Sequence, residues 1–214
     1  MLDFDQIIAP LNLDKLIRDH WGKSFVRMQG PPERFKDLFS WDELNTVLET
    51  HRLMPPRFKL FKDGQAIDPM RYITPPHMGT PRLDSGGLAV CLAEGASLIL
   101  NDVQEVHPRL RELMQVFQAA LKTDTYANLY AAWHTQKAFD LHWDPQDSII
   151  LQLSGKKRWK VYKPTRLHPL EDDIEKPVPP TGEPVWEGVM KEGDAIYIPR
   201  GWWHVVHPLN EPSL

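Results

Sequence analysis

The sequence has very little cysteine, because Cys91 is the only one in 214 residues. A single cysteine excludes a disulfide within the chain and a thiolate cluster for zinc, and it fits a reducing compartment. The chain also lacks a run of about 18 apolar residues, and its acidic start has neither the basic residues nor the apolar stretch of a secretory signal. We therefore expect a cytoplasmic protein without a membrane span.

An excess of positive charge is also missing. The chain carries 25 basic and 29 acidic residues, for a net charge of −4, so no chain-wide positive field attracts a phosphate backbone. A Gly-rich phosphate loop, a nucleophilic serine elbow and a cysteine-based site are absent as well. We expect no direct nucleic-acid ligand.

The composition that remains is that of an ordinary globular domain. Hydrophobic residues make up 42% and charged residues 25% of the chain, which is neither disordered nor fibrous composition. A chain of this length can bury roughly 70% of its unfolded surface around one core. Eight Trp and 20 Pro are high numbers, and they favour short strands joined by many turns.

Residues 1–122 are predicted to be rich in helix. Leu13 to His20 forms a first predicted helix, with Leu13, Leu16 and Ile17 on one face and Gly22 as its stop. The segment Ser40-Trp41-Asp42-Glu43 has the spacing of a capping box and predicts the start of a second helix.

Proline at the start of a further apolar stripe marks a third predicted helix, which begins at Pro108 and continues to Leu121. The stretch from Pro55 to Pro81 is predicted to be loop with short strands. Two strands are predicted after it, at Leu88 to Leu92 and at Ser97 to Leu100.

Residues 123–214 change to short apolar segments separated by Gly, Pro and Asp turns. Five strands are predicted there: Tyr126 to Trp133, Ser148 to Leu153, Arg158 to Tyr162, Ala195 to Ile198 and Trp203 to Val206. This pattern is typical of a barrel or sandwich. The segment Lys176 to Pro184 is predicted to be a long loop, and Asp172-Asp173 to be solvated charge.

The first group of residues that suggests chemistry is His142-Trp143-Asp144. Side chains at positions i and i+2 of an extended segment point the same way, so His142 and Asp144 can bind one ion together. Alone, the triplet also fits an ordinary surface or core role.

A second element, Gly193 to His204, reads as a tight turn, a strand, a Pro-Arg-Gly turn and a further strand that begins near His204. If that strand lies beside the one with His142, two imidazoles and one carboxylate leave three adjacent metal positions open. This facial triad is associated with non-haem iron(II) oxygenases. A bidentate 2-oxo acid would fill two of those positions and dioxygen the third. Zinc or manganese remains an alternative metal, and His207 an alternative ligand.

The third element concerns the cosubstrate. Ser154-Gly155-Lys156-Lys157 is predicted to be a hairpin turn that leads into the next strand, where Lys157 shares the buried face with Trp159 and Val161. A buried ammonium needs an anionic partner, and the distal carboxylate of 2-oxoglutarate would serve as one. The alternative is that Lys157 reaches solvent at a frayed strand end.

With these motifs in order, the sequence resembles the JmjC-type 2-oxoglutarate oxygenases, in particular the cupin-like branch that contains the ribosomal oxygenases. The resemblance covers nearly the whole chain and is carried by four segments and an N-terminal one: Asn128-Leu129-Tyr130, His142-Trp143-Asp144, Ile150 to Trp159, Gly193 to His204 and His20-Trp21-Gly22-Lys23.

The resemblance implies three iron ligands with a catalytic role, at His142, Asp144 and His204. It places the basic residue that binds the distal carboxylate of 2-oxoglutarate fifteen positions after the first ligand, at Lys157. Asn128 corresponds to a polar position beside the cosubstrate, and Tyr130 faces the same interior.

The implied fold is mainly β with a helical N-terminal region: a double-stranded β-helix (jelly-roll, cupin/JmjC) barrel at residues 123–214, on which residues 1–122 pack as part of one structural unit. The family's barrel needs another strand after the distal histidine, and many members of the branch add a dimerisation and winged-helix region. Because this chain stops at Leu214, we expect either that the last strand and that region are missing or that the barrel closes differently, and we expect a homodimer for a full-length form.

The expected function is that of an iron(II)- and 2-oxoglutarate-dependent dioxygenase that uses O2 to hydroxylate a protein side chain, possibly of a ribosomal protein. Three alternatives stay open: a non-catalytic metal-binding cupin module, a hydroxylase of a small molecule or peptide, and a zinc-dependent hydrolase or isomerase. His134 is expected to be a plain loop residue, and Trp202 and Trp203 to be packing residues.

Overall fold

The structure is a computed structural model that describes residues 2–75, 79–170 and 178–214. Asp172-Asp173 and the first two residues of the predicted loop Lys176 to Pro184 lie outside the described residues. Within the described ranges, no helix combines the length and the apolar character that a bilayer crossing would need.

Most helices precede residue 122. The α-helices are α1 Phe4–Ile8, α2 Leu13–Lys15, α3 Trp41–Thr50, α4 Ser85–Ala93 and α5 Pro108–Leu121. A π-helical turn, Leu16–His20, continues α2, and single 3-10 turns lie at Pro32–Phe35, Pro69–Arg71 and Val103–Glu105.

The strands form three antiparallel sheets. They are β1 Val26–Met28, β2 Phe58–Lys62, β3 Gln65–Ala66, β4 Ser97–Leu100, β5 Leu129–Ala131, β6 Ser148–Leu151, β7 Lys156–Tyr162, β8 Trp186–Lys191, β9 Ala195–Ile198 and β10 Trp203–Pro208. Their orders are β1-β9-β6, β10-β7-β8 and β3-β2-β4-β5. The architecture is the predicted mainly-β jelly-roll with a helical N-terminal region, and these sheets do not join into a closed barrel.

Strand β9 lies between two hydrophobic clusters. Ala195 and Tyr197 face the larger cluster, which is built mostly from the N-terminal helices and the four-stranded sheet. Ile196 and Ile198 face a smaller cluster with Trp159 and other side chains of β7 and β8. Because both faces of β9 are buried, its sequence is a continuous apolar run and does not alternate.

The segment 1–122 contributes strands as well as helices. β1 pairs with β9, with Val26 opposite Tyr197, and β4 pairs with β5, with Leu98 opposite Ala131. These pairings join the two predicted parts through backbone hydrogen bonds. The division at residue 122 stays a prediction.

Several predicted elements are confirmed. The Ser40 side chain caps the backbone of Glu43, whose own side chain accepts from the Ser40 backbone, so the capping box at the start of α3 is complete. Pro108 opens α5, and its predicted apolar stripe is buried at Leu110, Leu113, Met114 and Phe117. Strand β9 has the predicted bounds.

The predicted strand at Leu88 to Leu92 is wrong, because these residues belong to α4. The adjacent Gly86 and Gly87 lower helix propensity and hid the signal. The side chain of Asp84 accepts from the backbone of Gly86 and caps the helix, and Leu88 and Cys91 are buried at helical spacing.

The predicted hairpin at Ser154-Gly155 is also wrong. The strand before it, β6, pairs with β9, whereas the strand after it, β7, pairs with β8 and β10. The chain therefore crosses from one sheet to another at this turn. The strand predicted at Tyr126 to Trp133 is shorter, since only Leu129–Ala131 pairs within a sheet.

One predicted helix face is partly wrong as well. Leu16 is fully buried, but Ile17 is 43% exposed. The helix widens to a π turn at this point, with the amide of Trp21 bonded to the carbonyl of Leu16, so the angle between successive side chains differs from that of an α-helix.

The crossing turn leads to a stability prediction at Gly155, which has φ +67° and lies against the backbone of the C-terminal residues. A Cβ here would come within 2.1 Å of the Pro212 carbonyl oxygen. We expect Gly155→Ala to lower the free energy of unfolding by about 2 kcal/mol or more in urea denaturation. Gly182 is the control, since its Cβ would meet nothing within 4 Å; an equal loss in Gly182→Ala would contradict the account.

Candidate metal centre

The two histidines of the predicted triad are held together by backbone pairing. The amide of His142 donates to the carbonyl of His204 at 3.1 Å, and the amide of His204 donates back to His142 at 2.7 Å. Directly opposite residues of an antiparallel pair project to the same face. The imidazole centroids accordingly lie 4.4 Å apart.

Asp144 joins them from the same segment as His142. Its Oδ1 lies 3.9 Å from Nε2 of His142 and its Oδ2 lies 3.5 Å from Nε2 of His204. Its backbone carbonyl accepts a hydrogen bond from Gly201 at 2.9 Å, which ties the aspartate to the turn before β10. The three predicted ligands thus converge, with one donor atom from each within 4.8 Å of the others.

Both imidazoles present the same nitrogen to this point. Nδ1 of His142 lies 2.7 Å from the carbonyl oxygen of Asp140, and Nδ1 of His204 lies 3.3 Å from that of Trp202. A carbonyl oxygen only accepts, so each Nδ1 carries the proton and each Nε2 keeps a free lone pair. Hydrogen bonds of this kind orient metal-binding histidines.

The environment keeps His204 neutral. The pKa of His204 is lowered to about 4, mainly by burial and also by the nearby His142, while the charge of Asp144 acts in the opposite direction. At neutral pH the ring is therefore unprotonated, which is the form that binds a metal.

The donor set fits a divalent cation of the iron or zinc type. Ligand atoms about 2 Å from a shared ion lie roughly 3 Å from one another, so separations of 3.5 and 3.9 Å need only small side-chain movements. Two imidazole nitrogens and one carboxylate on one side leave the other side open. The residues present therefore fit the facial triad.

The triad lines a cavity of about 690 Å³ between the sheets. The other predicted site residues, Asn128, Tyr130 and Lys157, line the same cavity. A volume of this size accommodates a small organic ligand.

Lys157 lies on the buried face of β7, as its position in the strand predicts. The residue is 8% exposed, its neighbours Lys156 and Arg158 are exposed, and its ammonium donates to the carbonyl of Tyr130 at 2.7 Å. Burial lowers its pKa to about 8. The predicted inward orientation is confirmed, and the alternative of a frayed, solvated lysine is wrong.

Asn128 and Tyr130 form a hydrogen-bonded pair on this wall. Oδ1 of Asn128 accepts from the amide of Asp102 at 3.2 Å, which leaves the amide nitrogen to bond the tyrosine hydroxyl. The pKa of Tyr130 is raised to about 12, mainly because the protein around the hydroxyl desolvates its charged form although 41% of the residue's surface stays exposed; the charge of Asp144 adds to the increase and the bond with Asn128 opposes it. Tyr130 therefore stays protonated at neutral pH.

Trp159 lines the cavity, whereas the sequence placed it only on the buried face of its strand. Its indole stacks on His204 with centroids 5.8 Å apart and an interplanar angle of 26°. Its buried Nε1–H has no acceptor among the residues that the structure describes. The sequence signal for a cavity position was available, since Trp159 lies two positions after Lys157 and shares its strand face.

Phe139 was missed altogether. Its ring packs edge-on against His142 with centroids 5.5 Å apart and at a tilt against Phe61 with centroids 4.8 Å apart, so it supports the first metal ligand from the cavity wall. Its loop carries no strand pattern that would have placed it.

The other candidates lie elsewhere. His207 pairs with Arg158 on the outer face of β10, and the described metal-binding cluster contains neither His207 nor His134. Trp203 is buried and its indole donates to Thr165, while Trp202 packs against the smaller hydrophobic cluster. The predicted packing role of both tryptophans agrees with these contacts.

The fold and the site define a class: a jelly-roll domain with a 2-His-1-carboxylate arrangement inside. Comparison with known families agrees, because the JmjC domain matches residues 99–214. The chain therefore belongs to the JmjC domain family.

Its relatives include proteins described as oxygenases. The chain is 28% identical over 205 residues to the bifunctional lysine-specific demethylase and histidyl-hydroxylase NO66 of Drosophila persimilis, covering 93% of this chain and 28% of that protein. It is 27% identical to the human ribosomal oxygenase 1, covering 94% and 31%. The chain thus spans about a third or less of these two relatives.

Solved structures share the fold. The crystal structure of the Escherichia coli ribosomal oxygenase YcfD aligns with a TM-score of 0.63 and 22% identity, over 95% of this chain and 49% of that one. A structure of YcfD in complex with cobalt and 2-oxoglutarate aligns with a TM-score of 0.59 and 23% identity, over 95% and 50%. The chain spans about half of each.

Burial of Lys157 leads to a prediction about stability and pH. A shift of its pKa from 10.5 to about 8 corresponds to about 3 kcal/mol of unfavourable burial, of which the bond to Tyr130 offsets part. Below pH 8 both states hold the proton and the penalty is constant. Between pH 8 and 10.5 the folded state releases its proton first, so the penalty is relieved as pH rises.

We therefore expect Lys157→Met to raise the free energy of unfolding by about 2 kcal/mol at pH 7, and expect this gain to shrink toward pH 10. Urea denaturation across that pH range measures it. The exposed neighbour provides the control, Lys156→Met, which should change little. A destabilised Lys157→Met variant at pH 7 would contradict the burial argument.

Proposed function

We propose that this chain is an iron(II)- and 2-oxoglutarate-dependent oxygenase that hydroxylates a side chain of a protein substrate. The observation that carries the proposal is the presence of a convergent His-Asp-His triad and a buried, inward-facing lysine in one cavity. A metal site alone does not require that lysine.

The triad would hold the metal through Nε2 of His142, Nε2 of His204 and the carboxylate of Asp144. When bound, iron(II) with 2-oxoglutarate and dioxygen would supply the oxidising chemistry that inserts one oxygen atom of O2 into a C–H bond of the substrate, while the other oxygen atom enters succinate and carbon dioxide is released. The chain's own contribution is to orient the ligand nitrogens by their Nδ1 hydrogen bonds and to position the cosubstrate beside them.

Lys157 would bind the distal carboxylate of 2-oxoglutarate. An anion beside the buried ammonium stabilises its charged form, which burial otherwise disfavours. The indole N–H of Trp159, between Lys157 and His204 on the same wall, would donate a further hydrogen bond to the cosubstrate. Asn128 and Tyr130 would order the neighbouring part of the cavity wall through their mutual hydrogen bond.

The substrate we propose is a ribosomal protein. Support comes from relatives named histidyl-hydroxylase and ribosomal oxygenase, which the chain covers only in part. The net charge of −4 favours a basic protein surface over nucleic acid as the direct partner. Action in the cytoplasm and dimerisation of a longer form stay predictions.

The first test is spectroscopic. Anaerobic iron(II) and 2-oxoglutarate should give a visible metal-to-ligand charge-transfer band with the folded wild-type protein. His204→Ala should give no band, because one ligand is lost. Lys157→Met should keep the metal but require about tenfold or more cosubstrate. Absence of a band in the folded wild type would instead favour the non-catalytic cupin module.

The same titration tests Trp159. Removal of the donor in Trp159→Phe should weaken 2-oxoglutarate binding by about fivefold, since a neutral hydrogen bond contributes about 1 kcal/mol, and should leave metal binding unchanged. Lys156→Met serves as the matched control with wild-type binding. An unchanged cosubstrate titration in Trp159→Phe would exclude the contact.

The substrate is tested by mass spectrometry of ribosomal proteins from cells with and without the active protein. We expect one ribosomal side chain to gain a single oxygen atom only with the active form, and the His204→Ala variant to give no gain. Turnover of 2-oxoglutarate without any ribosomal modification would favour the small-molecule or peptide alternative.

A further inference from the structure

The N-terminal motif His20-Trp21-Gly22-Lys23 contains none of the proposed metal or cosubstrate ligands, so the proposed function does not explain it. In the fold, the amide of Gly22 donates to the hydroxyl of Tyr197 at 2.7 Å, and the indole of Trp21 stacks on the Tyr197 ring at 5.3 Å with an interplanar angle of 14°. Gly22 has φ +66°, a conformation that glycine adopts at low cost. The motif therefore fixes the position of one tyrosine side chain.

Tyr197 in turn contacts an acidic residue near the candidate metal site. Its hydroxyl donates to Oδ1 of Asp147 at 2.5 Å, and the side chain is fully buried. Burial together with the hydrogen bond to Asp147 raises the pKa of Tyr197, so the hydroxyl remains a donor at all physiological pH values.

Asp147 is three residues after the ligand Asp144, and both line the cavity. The segment between them is held at each end. At one end Gly201 donates to the carbonyl of Asp144, and at the other Tyr197 binds Asp147 just before β6 begins at Ser148. Only two residues, Pro145 and Gln146, lie between these two anchors, which leaves little slack in the chain.

We propose that Tyr197 and Asp147 are positioning residues for the metal ligand Asp144. The amide of Gly22 holds the tyrosine hydroxyl in place through its hydrogen bond. The inference rests on metal binding by the triad, as in the proposed function. The hydrogen bond, not the charge of Asp147, is the positioning element, because its removal frees the far end of the segment that carries Asp144.

The test uses the full 214-residue chain and cobalt(II) alone, with the dissociation constant read from the visible absorption of the bound ion. Tyr197→Phe and Asp147→Ala should each weaken cobalt binding by about tenfold, the low end of what outer hydrogen bonds contribute to metal affinity. Asp147→Asn keeps an acceptor for the tyrosine hydroxyl and should stay within about twofold of the wild type.

Tyr72→Phe is the matched control. Tyr72 is as deeply buried, and its hydroxyl is bonded to the backbone of Leu60, but it does not line the cavity. A general loss of packing would weaken cobalt binding in both tyrosine variants, whereas the proposal predicts a loss only at Tyr197. Thermal unfolding of each variant checks that it is folded.

The outcomes separate the competing accounts. If Asp147→Asn weakens cobalt binding and Tyr197→Phe does not, the charge of Asp147 acts directly and the proposal is wrong. Equal losses in Tyr197→Phe and Tyr72→Phe also overturn it. If the wild type itself binds no cobalt through the triad, the proposed function fails first, which is a different result from a wild-type-like Tyr197→Phe.

Discussion

The backbone pairing of His142 with His204 is the interaction on which the site depends. Two reciprocal hydrogen bonds bring residues 62 positions apart into direct opposition, and opposition on an antiparallel pair sends both side chains to one face. Asp144 follows automatically, because it lies two positions along an extended segment. One register choice thus assembles three ligands, and a slip by one residue would turn His204 to the outer face.

Burial around this pairing disfavours the charged forms of two side chains, His204 and Lys157, with different consequences. His204 is kept neutral by burial and by the nearby His142. The neutral form suits a metal ligand, because its Nε2 must offer a lone pair. Lys157 is equally buried, and its ammonium donates to a backbone carbonyl, which carries no compensating charge, so burial disfavours its charged form. Lys157 therefore lowers the stability of the fold and at the same time favours the binding of an anion, a compromise that is common at binding sites.

Much of the site was predictable from the sequence because short-range geometry determines it. The i, i+2 spacing of His142 and Asp144 and the strand parity of Lys157 follow from period two alone. Contacts between segments that are distant in the sequence could not be predicted from this periodicity. The glycines before Leu88 masked a helix that tertiary packing stabilises, and the link from Gly22 through Tyr197 to Asp147 requires three segments that no local pattern connects.

The pairing of β1 with β9 joins the N-terminal segment to the sheet that carries Tyr197. The family match begins at residue 99, yet Val26 to Met28 supply the hydrogen-bonding edge for the strand that carries Tyr197. A fragment cut at the family boundary would expose that edge to solvent and to other chains. The contacts around the candidate site therefore begin well upstream of residue 99, where the family match starts, and the N-terminal segment supplies part of the same buried interior.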